Sequence, residues 1–403
     1  MLIGLDAIPL TEPLTGVGHY TLELARAVAS ASPADEFELV YSSRYPQIDL
    51  ARDGESLPPN LRAARVEVGL LGARWWLVGL PRHIRRRGFA LFHGTNYEVP
   101  LRASCPTVLT IHDLSAYTHP ATHLARRARR LRLRLPAMAR AATHVITPTE
   151  AVRREACELL KLDPLKVSAI HEAPREGFRP LARAEAEATL KRLGVESDFL
   201  LFVGTIEPRK NLATLVGAFE QIDGEARDGV AGASKVSRAE SRTSSRASSP
   251  QLVIAGQQGW LTRDLLARVE ASPARSRIHF TGYVSDEDLR ALYSTCLAFV
   301  YPSLYEGFGL PPLEAAACGA AVVASRIPAH LETLGEESAL LVAPEDADAL
   351  ARALTELIED ESLRRRLAIA GVRRAAEFTW ERAARQTLEV YARALKEWAA
   401  KNV

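Results

Sequence analysis

The chain has 403 residues, too many for one ordinary core and suited to two domains of about 150–200 residues each. With 47% apolar and 25% charged residues it reads as a globular chain, and a net charge of +2 gives no reason to expect nucleic acid as a partner. The scattered Cys105, Cys157, Cys296 and Cys318 form no CxxC pair, which argues against a zinc site or a disulfide framework and fits a reducing compartment.

The first residues, Met1 to Asp6, lack a basic leader and a long apolar run, and no stretch reaches about 18 uncharged apolar residues. The expected location is therefore cytoplasmic. In the first half, short apolar runs predict strands at Leu2–Asp6, Phe37–Tyr41, Phe89–His93, Thr107–Ile111, His144–Thr147 and Val167–Ile170. Between the first two, Tyr20, Leu24, Ala27 and Val28 recur at helical spacing and predict a helix over Gly18–Ala31. The second half repeats the pattern with Phe199–Gly204, Leu252–Gly256, Ile278–Gly282, Leu297–Tyr301, Ala321–Ala324 and Ala339–Val342. Continuous apolar strands alternating with helices imply two parallel sheets, each covered on both faces.

A seam is expected near Pro174–Pro180, where two prolines and Gly177 bracket a charged segment. Asp223–Pro250 is rich in Ser, Ala, Arg and Gly, almost without apolar anchors after Val236, and is expected to be a mobile loop. The tail from about Trp380 to Lys401 reads as one long helix with Leu388, Tyr391, Leu395 and Trp398 on one side.

Chemistry concentrates at strand ends, where open α/β sheets bind ligands. After Tyr301 the chain reads Pro-Ser-Leu-Tyr-Glu306-Gly307-Phe308-Gly309-Leu310, and a helix is expected to open at Leu313–Cys318 with Glu314 on its first turn. The glycines let backbone amides approach a ligand, the helix start favours phosphate, and the two carboxylates can accept hydrogen bonds from sugar or ribose hydroxyls. After Phe202-Val203, Gly204 leads into Arg209-Lys210-Asn211 at the expected start of a helix. A fork beside a point charge suits a diphosphate, and an anion there would offset the unfavourable helix dipole. Gly16-Val17-Gly18 after the first strand reads either as a short phosphate loop or as a tight turn. His112-Asp113, at a strand end, reads either as a sugar-contacting pair or as a structural histidine.

Together these four signals resemble glycosyltransferase family 4, retaining enzymes of the GT-B fold, and within it the bacterial mannosyltransferase-type members that build surface polysaccharides. The likeness runs from Gly4 to about Tyr391, broken by the Ser-rich insertion. It implies an α/β chain of two Rossmann-like domains facing across a deep cleft. Residues 1–175 would be the acceptor-side domain and 176–379 the nucleotide-sugar domain, with a mobile insertion at about 223–250. Residues 380–403 would form a helix packing back toward the first domain. By the same likeness Glu306 contacts the transferred sugar, Glu314 the ribose, and Arg209 and Lys210 the diphosphate. Gly16 and Gly18 lie near the phosphates, His112 reaches the donor sugar, and Gly204, Gly307, Phe308, Gly309 and Leu310 help to bind the donor. Where members commonly carry Asn-Gly-Val-Asp, this chain departs and has His171-Glu172-Ala173-Pro174.

The implied reaction moves a sugar from a nucleotide-diphosphate donor, GDP-mannose before UDP-sugars, to a glycan or lipid-linked acceptor, without metal or cofactor. A nucleotide-sugar epimerase and a catalytically idle sugar-binding subunit are the alternative readings. The densely basic Arg126–Arg140, together with Trp75-Trp76 and Arg85-Arg86-Arg87, reads either as a surface for anionic membrane at its inner face or as solvated helix.

Overall fold

A computed structural model of the chain describes residues 1–48, 50, 57–69, 74–195, 198–232 and 250–401. In chain order the first half forms β1 (Leu2–Asp6), α1 (Gly16–Ala31), β2 (Glu36–Ser42), β3 (Leu61–Val66), α2 (Leu80–Arg87), β4 (Leu91–Gly94), β5 (Thr107–Thr110), α3 (Ser115–Thr118), α4 (Ala125–Ala141), β6 (His144–Thr147), α5 (Glu150–Leu160) and β7 (Val167–Ala169). The second half continues with α6 (Arg183–Arg192), β8 (Phe199–Val203), α7 (Leu212–Gly232), β9 (Gln251–Ala255), α8 (Arg263–Ala271), β10 (Ile278–Gly282), α9 (Asp286–Thr295) and β11 (Ala298–Tyr301). It closes with α10 (Leu310–Ala317), β12 (Val322–Ser325), α11 (Pro328–Thr333), β13 (Ala339–Val342), α12 (Ala347–Glu359), α13 (Glu361–Ala375) and α14 (Trp380–Lys401).

The strands pair in parallel in two sheets, ordered β3-β2-β1-β4-β5-β6-β7 and β10-β9-β8-β11-β12-β13. Each is doubly wound, with the order reversing beside β1 and beside β8, the positions at which such sheets take ligands. The central strands are buried along their whole length because helices cover both faces: β4, β5, β6, β8, β11 and β12 expose no residue. Several helix starts are written in the sequence, since Thr149, Ser285, Asp346 and Asp360 each accept from the third residue beyond them.

Two compact units divide the chain: Met1–Pro120, Ala125–Arg175 and Phe378–Val403 form one, and Ala121–Leu124 and Glu176–Glu377 the other. Ala121–Leu124, expected with the first domain, thus belongs to the second unit. There Trp260 Nε1 donates to the Thr122 carbonyl at 2.9 Å and stacks on His123 with centroids 6.3 Å apart. In the first unit α14 packs along α1. A buried chain of polar groups fixes it: Tyr391 Oη lies 2.7 Å from His93 Nδ1, and His93 Nε2 lies 2.8 Å from Thr110 Oγ1, which also meets Tyr20 Oη at 2.9 Å. Burial, aided by nearby His112, lowers the His93 pKa to about 3, so the ring is neutral. Tyr391→Phe removes the partner of a fully buried ring nitrogen. The expected loss is about 1–3 kcal/mol, read as a lower urea midpoint with unchanged m value.

Three expectations need correction. Leu61–Val66 was not predicted as a strand. It is a sheet edge whose arginines are exposed, so alternation with charged residues hid it. The helix expected at Leu313 opens three residues earlier, at Leu310, behind a proline-rich first turn, and Glu314 therefore sits on its second turn. The segment expected to be a loop from Asp223 begins as helix, because α7 runs on to Gly232 with Asp223 ion-paired to Arg277; residues 233–249 lie outside those described.

Candidate active site

In the second unit, neighbouring strands β8 and β11 deliver two loops to one point. The loop after β8 makes a tight turn at Pro208–Lys210, ended by Asn211 at φ 55°, a backbone region that Asn tolerates better than most residues. Asn211 Nδ2 donates to the carbonyls of Pro302 at 3.1 Å and Pro344 at 2.6 Å, and Leu304 N donates to the Arg209 carbonyl at 2.9 Å. The basic pair thus stands on a turn ahead of α7 rather than on its first residues, so the expected conflict with the helix dipole does not arise.

This stitching brings Arg209 and Lys210 onto Glu306. Lys210 Nζ lies 2.7 Å from Glu306 Oε1, and Arg209 Nη1 lies 2.9 Å from Glu306 Oε2. Arg209 also donates from Nη2 to Glu207 Oε1 at 2.7 Å and from Nη1 to the Tyr305 carbonyl at 2.9 Å. Lys210 Nζ donates to Tyr301 Oη at 2.6 Å and lies 4.9 Å from the centre of that ring. The Lys210 and Glu306 side chains are each 9% exposed, so these charges interact in a medium far less polarisable than water.

Protonation states follow from that burial. Burial alone pushes the Glu306 carboxyl up, but Arg209 and Lys210 outweigh it and bring the group to about 2, so it is a carboxylate. Burial, and then Arg209, lower the Lys210 pKa, against the pull of Glu306 and Glu207. The Tyr301 hydroxyl is pushed well above its ordinary value by burial and by Glu306, and stays protonated.

The loop from Glu306 closes on α10. Gly309 is its N-cap at φ +95°, where a side chain is strained, and a Cβ there would come within 3.0 Å of the His330 ring. Glu314 is buried, 2% exposed, on the second turn of this helix. Phe308 is buried with its carbonyl accepting from Thr333 Oγ1 at 3.3 Å, and Leu310 is half-buried. Gly204 begins the other loop, its N–H donating to the Ala255 carbonyl at 2.9 Å.

The remaining candidates lie on the first unit. Gly16 and Gly18 stand on the first turn of α1 rather than in a loop. Gly18 is there for space, since a Cβ would meet Leu14 Cδ2 at 2.9 Å and the Pro9 carbonyl at 3.1 Å. His112 Nε2 donates to the Thr95 carbonyl at 2.7 Å, and its Nδ1 lies 3.5 Å from Glu172 Oε1. The departure at His171–Pro174 therefore has a structural consequence: Glu172 stands beside the second nitrogen of His112, where it can pair with the ring only when both nitrogens carry a proton.

Sequence reasoning assigned no role to Glu207, Tyr301, Glu172 or His330. Tyr301 was detectable as a polar residue at a strand end and Glu207 as a carboxylate two residues before Arg209; His330 carried no local signal. Among the described residues, no three His, Cys, Asp or Glu side chains are grouped so as to hold a metal ion.

Two doubly wound parallel sheets, with two cations and a carboxylate gathered on the loops after adjacent strands, offer a site suited to an anionic ligand such as a phosphate. Comparison with known proteins narrows this. The family model described as "Glycosyltransferase Family 4" matches residues 14–173, and "Glycosyl transferases group 1" matches residues 189–374. O-antigen chain mannosyltransferase B of Escherichia coli is 31% identical over 95% of this chain and 97% of its own length. Sucrose-phosphate synthase from Thermosynechococcus elongatus shares the fold with a TM-score of 0.75 at 23% identity, over 99% of both chains. Anabaena HepE in complex with UDP-glucose does so at 0.72 and 17%, over 96% of this chain and 99% of that one. The chain belongs to glycosyltransferase family 4, has the GT-B fold of two Rossmann-like domains, and is a glycosyltransferase.

Proposed function

We propose that the enzyme is a retaining mannosyltransferase that works without a metal ion, taking mannose from GDP-mannose to a glycan or lipid-linked acceptor in surface polysaccharide synthesis. The mannose assignment is supported by likeness to the O-antigen chain mannosyltransferase across nearly the whole chain. The observation that carries the chemistry is the cluster of Lys210, Glu306 and Arg209, largely shielded from solvent.

The difficult step is breaking the bond from the anomeric carbon to the diphosphate. Negative charge grows on the leaving group and positive charge on the sugar ring. Arg209, Lys210 and the amides of Gly307–Gly309 stabilise the first, as fixed charges and dipoles that need little reorganisation. The two cations supply the positive charge that a metal ion contributes elsewhere. Glu306 stabilises the sugar ring as a carboxylate, and Glu314 accepts hydrogen bonds from the ribose. Both Glu306 oxygens already hold a cation, which makes it a poor nucleophile. Retention then follows from attack on the leaving-group side, with the departing phosphate taking the acceptor proton.

The test is release of GDP from GDP-mannose with and without acceptor, repeated in excess EDTA. Transfer at an unchanged rate in EDTA is expected, and its abolition refutes metal independence. Conversion of donor to an isomer with no acceptor present marks an epimerase instead, and no turnover of any donor marks an idle subunit. GDP is expected to raise the melting temperature more than UDP at equal concentration; the reverse order assigns the site to UDP-sugars.

The acceptor reading includes contact with an anionic membrane at the cytoplasmic face. No helix among the described residues is long and apolar enough to cross a membrane. In the first unit, Leu131 and Leu135 of α4 pack inward while Leu133 is 71% exposed. Beside it lie Leu77, 60% exposed, and Leu101, 42% exposed, around a groove also lined by Trp76, Arg130 and Arg134. Apolar side chains ringed by arginines suit a lipid surface bearing negative charge. Vesicles containing phosphatidylglycerol are expected to pellet the protein at low salt, less so for Leu77→Asp/Leu133→Asp. Protein left in the supernatant by the wild type sinks this part of the reading.

A further inference from the structure

His330 is a buried titratable group that the chemistry above leaves unused. It lies on α11 with no solvent exposure, and its Nδ1 is 2.8 Å from the Ser325 carbonyl at the end of β12. A carbonyl only accepts, so Nδ1 carries the proton. In the neutral ring Nε2 is then a bare lone pair, and it is buried without a hydrogen-bond partner. The ring tilts against Tyr301 with centroids 5.8 Å apart, and its Nε2 lies 3.1 Å from where a Cβ on Gly309 would stand. An unpartnered nitrogen therefore sits at the N-terminus of α10, beside the tyrosine that holds Lys210. Leaving a buried polar atom unpaired costs stability, which invites a functional reason.

The charged groups acting on this ring come from the two loops of the site. Burial and Lys210, from the turn after β8, oppose its protonation, while Glu306, from the loop after β11, favours it. Tyr301, the other neighbour able to ionise, stays neutral. A bound diphosphate tips this balance. It adds negative charge close by, and Arg209 and Lys210, staying in place, then share their positive charge between the diphosphate and Glu306.

We propose that His330 is a positioning residue of the donor site, its Nε2 taking up one proton from solvent when a nucleotide diphosphate binds and adding positive charge where Glu306 and the diphosphate share Arg209 and Lys210. One N–H bond forms, the imidazole becomes imidazolium, and no other bond changes. The idea rests on the donor-site reading above and adds to it a thermodynamic signature: proton uptake linked to nucleotide binding.

The experiment is titration calorimetry of the full chain with GDP, and separately UDP, at about pH 7.5 in buffers of different ionisation enthalpy. Proton uptake in the wild type is expected to exceed that in His330→Asn by about half to one proton per nucleotide. Asn can keep the donor to the Ser325 carbonyl, so a merely structural role would leave the proton count unmoved. Equal uptake in both proteins, with binding intact, overturns the proposal while sparing the donor site. Absence of binding by either nucleotide in the wild type overturns both. If the variant does not fold, nitrogen spectra of wild-type protein labelled at histidine decide: a buried Nε2 that passes from unprotonated to protonated on adding nucleotide supports the proposal, and one that stays unprotonated overturns it.

Discussion

Lys210→Ala is expected to lower turnover by roughly 10²–10³, the scale for losing one fixed electrostatic donor. Lys210 is a point charge on the turn between β8 and α7, held by Tyr301 Oη at 2.6 Å and Glu306 Oε1 at 2.7 Å. Because Lys210 is buried, water cannot replace the charge at the same place. Arg209 remains and keeps Glu306 ionised, so the variant should fold. Lys210→Met, which keeps the aliphatic stem against Tyr301, should be as inactive as the alanine variant if charge is what matters. Lys210→Arg should not restore full activity, because a planar fork cannot occupy the position of a compact ammonium between a hydroxyl and a carboxylate. Steady-state kinetics with a saturating donor give the answer; turnover in Lys210→Met within a few-fold of wild type removes Lys210 from the chemistry.

Glu306→Gln should produce a loss of similar size in the chemical step, roughly 10²–10³, and a second effect on stability. The substitution leaves buried Lys210 beside half-buried Arg209, with Glu207 as the carboxylate still bonded to Arg209. Breaking one side of a buried pair costs about 3–5 kcal/mol. Its pH dependence has a definite sign. The Glu306 pKa is depressed from 4.5 to about 2, so its contribution is present above 4.5 and is lost as pH falls through about 2. Wild-type stability should therefore decline across that window more steeply than that of Glu306→Gln, as read by urea unfolding at each pH. Glu314→Gln serves as the contrast, with a raised donor KM and a smaller change in kcat. Indistinguishable kinetics for the two glutamate variants would refute their separate roles.

How legible this was can be judged from particular residues. The fold class was open to reading because burial on both faces makes a parallel strand an unbroken apolar run, as in Phe199–Val203, and such runs are local. The caps at Thr149 and Ser285 are equally local, since their bonds span three residues, yet they were not assigned from the sequence. The edge strand Leu61–Val66 was not legible, since half its face meets solvent and its arginines break the pattern. At the site, Glu306 and the Arg209–Lys210 pair stood out as separate strings. That one carboxylate holds both cations was invisible, because their contact spans 96 residues and depends on β8 and β11 being neighbours in the sheet.

The sequence by itself determined which residues carry charge, where strands end in glycine-bearing loops, and the family to which the chain belongs. Only the tertiary structure decided which charges meet, which are buried and what protonation follows. A carboxylate, a histidine nitrogen or a lysine takes its character from the solvent it loses and the partners it gains, and both come from distant parts of the chain. His330 makes the case: its Nε2 has meaning only because Gly309, Tyr301 and Ser325 are folded around it.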